Sequence, residues 1–468
     1  MAPGSSGTPG GVSVTGRRPA YRPVPSSDPR RVAYDLLRAV AERDAYANLT
    51  LPGMLRERGL DERDRALATE LGYGTLRAQG SLDAVLGACL DRRLEAVDAT
   101  LLDVLRLGSY QLLRTRIPTH AAVNTSVDLA RTVLTHGQVS VVNAVLRKVS
   151  AYDETGWLER VAPTMADDPA AHLAQRYAHP AWIVRAYRDA LGGDWPETAT
   201  ALAADDERPR VHLVARPGRI GRDELAALSG GTAGPWSPYA VRLDGGDPGA
   251  LAPVRDMRAA VQDEGSQLAA LALTNGHLDG PDGNWLDLCA GPGGKAALLG
   301  ALAAERAAAV LAVELQPHRA KLVEQATAGL PVRTEVADGR DPRPPDADRV
   351  LVDAPCTGLG ALRRRPEARW RRQPSDIPPL ARLQRELLTA GLAAARPGGL
   401  VAYATCSPHL AETRAVVADV VRRTGAEQLD TRPALPGVPD LGDGPHVQLW
   451  PHLHGTDAMF IALLRKGP

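Results

Sequence analysis

The chain sets 55 basic against 55 acidic side chains in 468 residues and is 44% hydrophobic, which fits globular cores and argues against a protein that coats nucleic acid by bulk charge. No apolar run reaches the ~18 residues of a bilayer span, because Glu305 and Arg306 break the best candidate, and no apolar leader stands at the N-terminus. Four cysteines (Cys89, Cys289, Cys356, Cys406) are too few to staple so long a chain, which points to a reducing cytoplasm.

Length predicts about three domains at ~150 residues each. Residues 1–28 are rich in Gly, Pro and Ser and are expected to be disordered. From 29 to 152, segments such as RRVAYDLLRAVAE, RDRALATELGYGTLR, LDAVLGACL and VSVVNAVLRKV place apolar residues at i, i+3, i+4 and i+7, predicting an all-α bundle of six or more helices. Residues 153–260 mix Pro- and Gly-rich breaks with short strand-like pieces (RVHLVAR, AVRL) and read as a small α+β unit. Residues 261–468 alternate strand-like and helix-like segments, the pattern of a parallel α/β sheet.

The α/β region opens with NWLDLCAGPGGKAALLGALAA (284–304), an apolar strand running through Gly291–Lys295 into a helix. Glycines there let the backbone approach a ligand, and the helix start aims free N–H groups at it. The spacing matches neither GxxxxGK[ST] nor GxGxxG. Glu314 closes the next strand, where an acid suits ribose hydroxyls, and Asp338 follows the third, placed for an adenine amino group. The order of these elements predicts a nucleoside cofactor. Lysine occurs only at 148, 295, 321 and 466, so Lys295 stands out against a strong arginine bias.

The fourth strand ends Asp353-Ala-Pro-Cys356 and the fifth, VAYATCSP, carries Cys406 at its tip. If these strands are neighbours, about 4.8 Å apart, both thiols reach the cofactor cleft. One reaction class needs that. C5 of a pyrimidine is a weak nucleophile until a thiolate adds to C6, and after methyl transfer the C5 proton must leave so that the thiol can depart. Lys295 is a candidate to lower a thiol pKa, and Asp353 to hydrogen-bond or protonate the ring nitrogen.

These motifs, Pro-Gly-Gly-Lys, Asp-x-Pro-Cys and Thr-Cys-Ser in order, resemble the Sun-type RNA (cytosine-5)-methyltransferases, which use S-adenosylmethionine. The resemblance implies a Rossmann-like catalytic domain with Cys406 as nucleophile and Cys356 assisting release. It implies cofactor contacts from Cys289, Ala290, Gly291, Pro292, Gly293, Gly294, Lys295, Glu314, Arg319, Asp338 and Asp353. VQDEGSQLAALAL (261–273) resembles the family's lead-in helix. The N-terminal segments ANLTL, ELGYGTLR, LRLGSYQLL, IPTHAAVNTSVDLA and VNAVLRKV resemble a NusB-like RNA-binding bundle, a combination similar to bacterial small-subunit rRNA methyltransferases. That implies 16S rRNA as partner, no membrane and no metal, and a monomer. Methylation of tRNA or another rRNA, or RNA binding without catalysis, are the competing readings. The chain departs from the family pattern at Glu314, Ala296, Thr357 and the Ala458-Met459 pair.

LRRRPEARWRR (362–372) follows Cys356 closely. Its arginines Arg363, Arg364, Arg365, Arg369, Arg371 and Arg372, with Trp370, suit phosphate contacts and base stacking. His446, His452 and His454 cluster without further ligands at metal-binding spacing, and no metal is expected.

Overall fold

A computed structural model describes residues 27–467; the expectation for residues 1–26 lies outside the described residues. Six helices form the first unit: α1 (Pro29–Arg43), α2 (Ala47–Glu57), α3 (Glu62–Cys89), α4 (Ala99–Arg114), α5 (Thr119–Val133) and α6 (His136–Val149). Their starts carry side-chain caps where the sequence supplies an acid. Asp61 accepts from the Asp64 N–H and Asp98 from the Thr100 and Leu101 N–H groups, satisfying donors that the first helical turn leaves free. The apolar stripes meet in one core that includes Val32, Leu36, Leu71, Leu105, Leu146 and Cys89.

The middle region is more helical than its Pro- and Gly-rich sequence suggests. Four helices, α7 (Glu154–Val161), α8 (Pro169–Arg176), α9 (Ala181–Ala190) and α10 (Trp195–Asp206), precede any strand. Pro169 and Pro196 fall in the first turn of their helices, where a missing N–H costs nothing. A small antiparallel sheet follows, ordered β2-β3-β1-β4 from β1 (Val211–Ala215), β2 (Thr232–Ala233), β3 (Ala240–Leu243) and β4 (Ala259–Val261). Helices α11 (Arg222–Ser229) and α12 (Ala252–Arg255) interrupt it.

Helix α13 (Glu264–Asn275) opens the α/β half. Then come β5 (Asn284–Asp287), α14 (Gly294–Glu305), β6 (Ala309–Glu314), α15 (Pro317–Ala326), β7 (Val332–Val336), β8 (Ala347–Asp353), α16 (Ala368–Arg371), α17 (Ile377–Ala394), β9 (Ala395–Thr405), α18 (Arg414–Thr424), β10 (Glu427–Leu429), β11 (Val447–Gln448), α19 (Pro451–His454) and β12 (Phe460–Arg465). The sheet order is β10-β12-β9-β8-β5-β6-β7, with β11 beside β12. β7, β6, β5, β8 and β9 are parallel, β12 runs antiparallel to β9, and β10 pairs antiparallel with β12. The sheet is therefore mixed, not purely parallel, and β12 covers an edge that β9 would otherwise expose. Strand order reverses between β5 and β8, and a crevice at that switch point is where such sheets hold ligands. No helix among the described residues is long and apolar enough to cross a membrane.

Candidate active site

The loop between β5 and α14 carries the glycine motif to that switch point. Gly293 sits at φ +107°, left-handed backbone that only glycine adopts freely, and its Cβ position would lie 2.8 Å from Ala326. A Cβ on Gly291 would fall 2.1 Å from Glu314 Oε2. That contact is used: the Gly291 N–H donates to Glu314 at 3.1 Å, and Arg319 Nη2 donates to the Gly291 carbonyl at 2.7 Å. Glu314 and Arg319 thus clamp the loop from the tip of β6. Cys289, half-buried, contributes its backbone N–H to Asp287 Oδ1 at 3.3 Å, and partial desolvation with the nearby acids pushes its thiol pKa well up.

Lys295, at the start of α14, reaches across to β8 and bonds Asp353 Oδ2 at 2.8 Å. Burial opposes the charge on Lys295, but Asp353 outweighs it and holds the ammonium pKa above its ordinary value. β8 and β9 are neighbours in register, Asp353 beside Ala404, so the turns beyond them bring Cys356 Sγ within 3.4 Å of Cys406 Sγ. The two sulfurs differ in surroundings. A hydrogen bond from Cys356 lowers the Cys406 thiol pKa, and the Lys295 and Arg365 charges act the same way against burial and Asp353. That bond with Cys406, burial, and the Cys406 and Glu412 charges raise Cys356 well above an ordinary thiol. Cys406 is thus the more acidic sulfur of the pair and Cys356 the one that holds its proton more firmly.

Three polar atoms that the sequence reading passed over line the same crevice. Asp287 Oδ2 and both side-chain polar atoms of Gln262 are buried without a partner. Gln262 lies 3.7 Å from a Cβ position on Gly294. Burial, then the neighbouring Asp353 charge, pushes Asp287 up to about 7. Unsatisfied buried groups beside a glycine loop are what a polar ligand would complete. The set suits S-adenosylmethionine: unpaired amide and carboxyl atoms for an amino-acid end, and the Glu314 strand tip for a ribose. Asp287 and Gln262 follow apolar strands and carry no motif spacing, so only their unpaired burial finds them. Asp338 stands apart. Its carboxylate is gripped by Arg340, through the backbone N–H at 2.9 Å and the guanidinium at 3.0 and 2.6 Å. It borders an open groove of about 1340 Å³ that also touches Arg385 and Asp419 and contains neither cysteine.

The arginine-rich segment is largely engaged within the molecule. Arg363 and Arg364 both bond Asp457 at 2.9 Å, and Arg364 also bonds Asp263 at 2.6 Å. Arg369 is 0% exposed and donates to the carbonyls of Asp205 (2.5 Å) and Ala178 (3.2 Å). Trp370 Nε1 donates to Leu76 O at 2.8 Å, Arg371 to Val40 O at 2.7 Å and Arg372 to Thr357 O at 3.0 Å. Arg369, Trp370 and Arg371 tie the α/β half to the two preceding regions, Arg364 also reaches the Arg210 carbonyl, and Arg363 and Arg372 bond within that half, so much of the donor capacity expected to meet RNA is engaged inside the molecule. Arg365 alone of the run is exposed, its guanidinium 5.8 Å from the half-exposed Tyr46 ring. His454 bonds the Trp450 N–H (3.0 Å) and Pro439 O (2.9 Å), and no group of three or more His, Cys, Asp or Glu able to hold a metal occurs among the described residues.

Residues 275–465 match the family described as 16S rRNA methyltransferase RsmB/F, and residues 27–151 match the NusB family. A Mycobacterium tuberculosis chain named only as a methyltransferase is 59% identical over 453 residues, spanning 96% of this chain and 98% of that one. Ribosomal RNA small subunit methyltransferase B of Pseudomonas putida is 34% identical over 418 residues, 86% of this chain and 91% of its own. The crystal structure of PH0851 superposes with a TM-score of 0.77 at 21% identity, covering 94% of this chain and 99% of that one. NSun6 from Pyrococcus horikoshii superposes with 0.52 at 18% identity, covering 62% and 98%; both likenesses concern the fold alone. With the relatives covered nearly end to end and both halves matched, the chain belongs to the RsmB/F family of S-adenosylmethionine-dependent RNA methyltransferases, with a NusB-family domain at its N-terminal end.

Proposed function

We propose that the protein methylates C5 of a specific cytosine in 16S rRNA through a covalent Cys406 adduct. The observation that carries this reading is the pair of sulfurs 3.4 Å apart at the tips of adjacent strands, one of them under the influence of the Lys295 ammonium. Cys406 thiolate adds to C6 of the base, which moves electron density onto C5 and the ring nitrogen. The Lys295–Asp353 pair hydrogen-bonds the base edge and supplies the proton that neutralises the ring nitrogen. S-adenosylmethionine, when bound, supplies the methyl group as an electrophile on a sulfonium. C5 then gives up its proton to solvent, the C6–Sγ bond breaks with its electrons returning to Cys406, and the ring nitrogen gives its proton back to the Lys295–Asp353 pair. The Cys356 S–H, already aimed at that sulfur, stabilises the departing thiolate. Glu314, Arg319 and the 289–295 loop hold the cofactor, joined by Asp287 and Gln262. Asp338 keeps its expected adenine role only if Arg340 releases its carboxylate. Exposed Arg365 and the helical bundle contact the RNA.

Transfer of labelled methyl to protein-free 16S rRNA, assembled small subunits and tRNA tests the reading. Label is expected in C5 of one rRNA cytosine and absent with Cys406→Ala. The Cys356→Ala protein is expected to accumulate an RNA–protein adduct that survives a denaturing gel. Label confined to tRNA would overturn the substrate, and full activity without Cys406 would overturn the chemistry.

A further inference from the structure

Glu412 belongs to none of the motifs above, yet it touches both cysteine loops. It is fully buried, in the single helical turn after Cys406. Oε1 accepts the Thr357 N–H at 2.8 Å and Gln384 Nε2 at 3.1 Å; Oε2 accepts the Thr357 hydroxyl at 2.5 Å and the Ser407 hydroxyl at 2.7 Å. Thr357 follows Cys356 and Ser407 follows Cys406. Gln384 also donates to Pro355 O at 2.9 Å, one residue before Cys356, and the Tyr403 hydroxyl donates to the Glu412 carbonyl at 2.6 Å. One carboxylate therefore ties together the residues next to both sulfurs.

Its named partners are an amide, a carboxamide and two hydroxyls, with no cation among them, an expensive way to bury a charge if packing were the sole purpose. The charge has a consequence across the 3.4 Å sulfur pair. Cys356 faces Glu412 and the Tyr403 phenol, whereas Cys406 faces Lys295, Arg365 and Asp353. The Glu412 carboxylate stands on the Cys356 side, while on the Cys406 side two cations are set against the one carboxylate of Asp353, and the Cys356 hydrogen bond adds to them in favouring the thiolate at Cys406.

We propose that Glu412 is a positioning residue that clasps the loops after β8 and β9 and keeps Cys356 as the thiol that donates to Cys406. The proposal rests on the two-cysteine reading of the site. Glu412→Gln retains the size and most hydrogen bonds but removes the charge; Glu412→Asp retains the charge with a shorter reach.

The full-length protein is alkylated with limiting iodoacetamide, and the label on Cys356 and Cys406 is mapped by mass spectrometry, without RNA. Wild type is expected to label first at Cys406. Glu412→Gln is expected to shift the Cys356-to-Cys406 labelling ratio about tenfold towards Cys356, the effect of one pK unit, while calorimetric affinity for S-adenosylmethionine stays the same. Glu412→Asp is expected to keep the wild-type preference and lose turnover. An unchanged ratio in Glu412→Gln with bound cofactor, or first labelling of Cys356 in wild type, overturns the proposal. A normal labelling shift in a protein that does not methylate rRNA would leave the clasp standing and remove only the substrate assignment.

Discussion

Cys406 sits one residue past the end of β9, half-buried against the core, where its sulfur meets a thiol and the charges of Asp353, Lys295 and Arg365. Only the thiolate adds to a base, so the depressed pKa fixes the sign of the pH response. The rate of adduct formation should climb as pH rises through a value below the ordinary thiol's 9.0 and then level off. Removing the Cys356 donor with Cys356→Ala should move that rising limb to higher pH by about one unit. Single-turnover adduct formation against pH checks both, since it reads addition without release. At the same scale, two positions that depart from the family pattern lie in close contacts. The Thr357 hydroxyl bonds Glu412, and the Ala458 N–H donates to Gly360 O at 2.9 Å in a contact so close that a Cβ on Gly360 would lie 2.0 Å from the Ala458 carbonyl.

At the scale of elements, α3 shows what periodicity can and cannot predict. Its glycines divide the sequence into two helical stretches, RDRALATELGYGTLR and LDAVLGACL, yet one helix runs unbroken over 28 residues. Gly80 is required by a neighbour and not by a turn: a Cβ there would fall 2.3 Å from the Trp370 ring. Gly80→Ala should therefore destabilise the protein by about 1–3 kcal/mol through overpacking. In a Trp370→Ala background the same change should stabilise by about 0.5–1 kcal/mol, because helix propensity then acts alone. Denaturant midpoints of the four proteins in that cycle decide it. The arginine-rich segment around α16 carries the matching lesson, since its composition suggests RNA while many of its donors go to carbonyls and carboxylates of its own region and of the other two.

At the scale of the molecule, Arg369 is the junction. It lies buried among Asp205, Asp206 and the Ala178 carbonyl, with Arg114 on Asp206 at 2.5 Å and His179 on Asp205 at 2.9 Å. Burial and the Arg369 charge keep His179 below its usual pKa, so it bonds Asp205 as a neutral ring near pH 7. Arg369→Met removes one cation and strands buried acids, a change expected to cost about 3–5 kcal/mol. Exposed Arg365→Ala should stay within about 0.5 kcal/mol of wild type, and thermal melts of the two variants separate a structural from a surface arginine.

The helical bundle, the glycine loop and the cysteines at strand tips were legible in the sequence, because amphipathic period, strand ends and loop glycines are set by residues close together in the chain. Tertiary structure alone decided what those groups meet. Trp370 finds Leu76 across 294 positions, Arg369 finds Asp205 across 164, and Glu412 finds Thr357 across 55. Partners that distant depend on sheet order and domain docking, and so does the difference between an arginine that reads RNA and one that holds the molecule together.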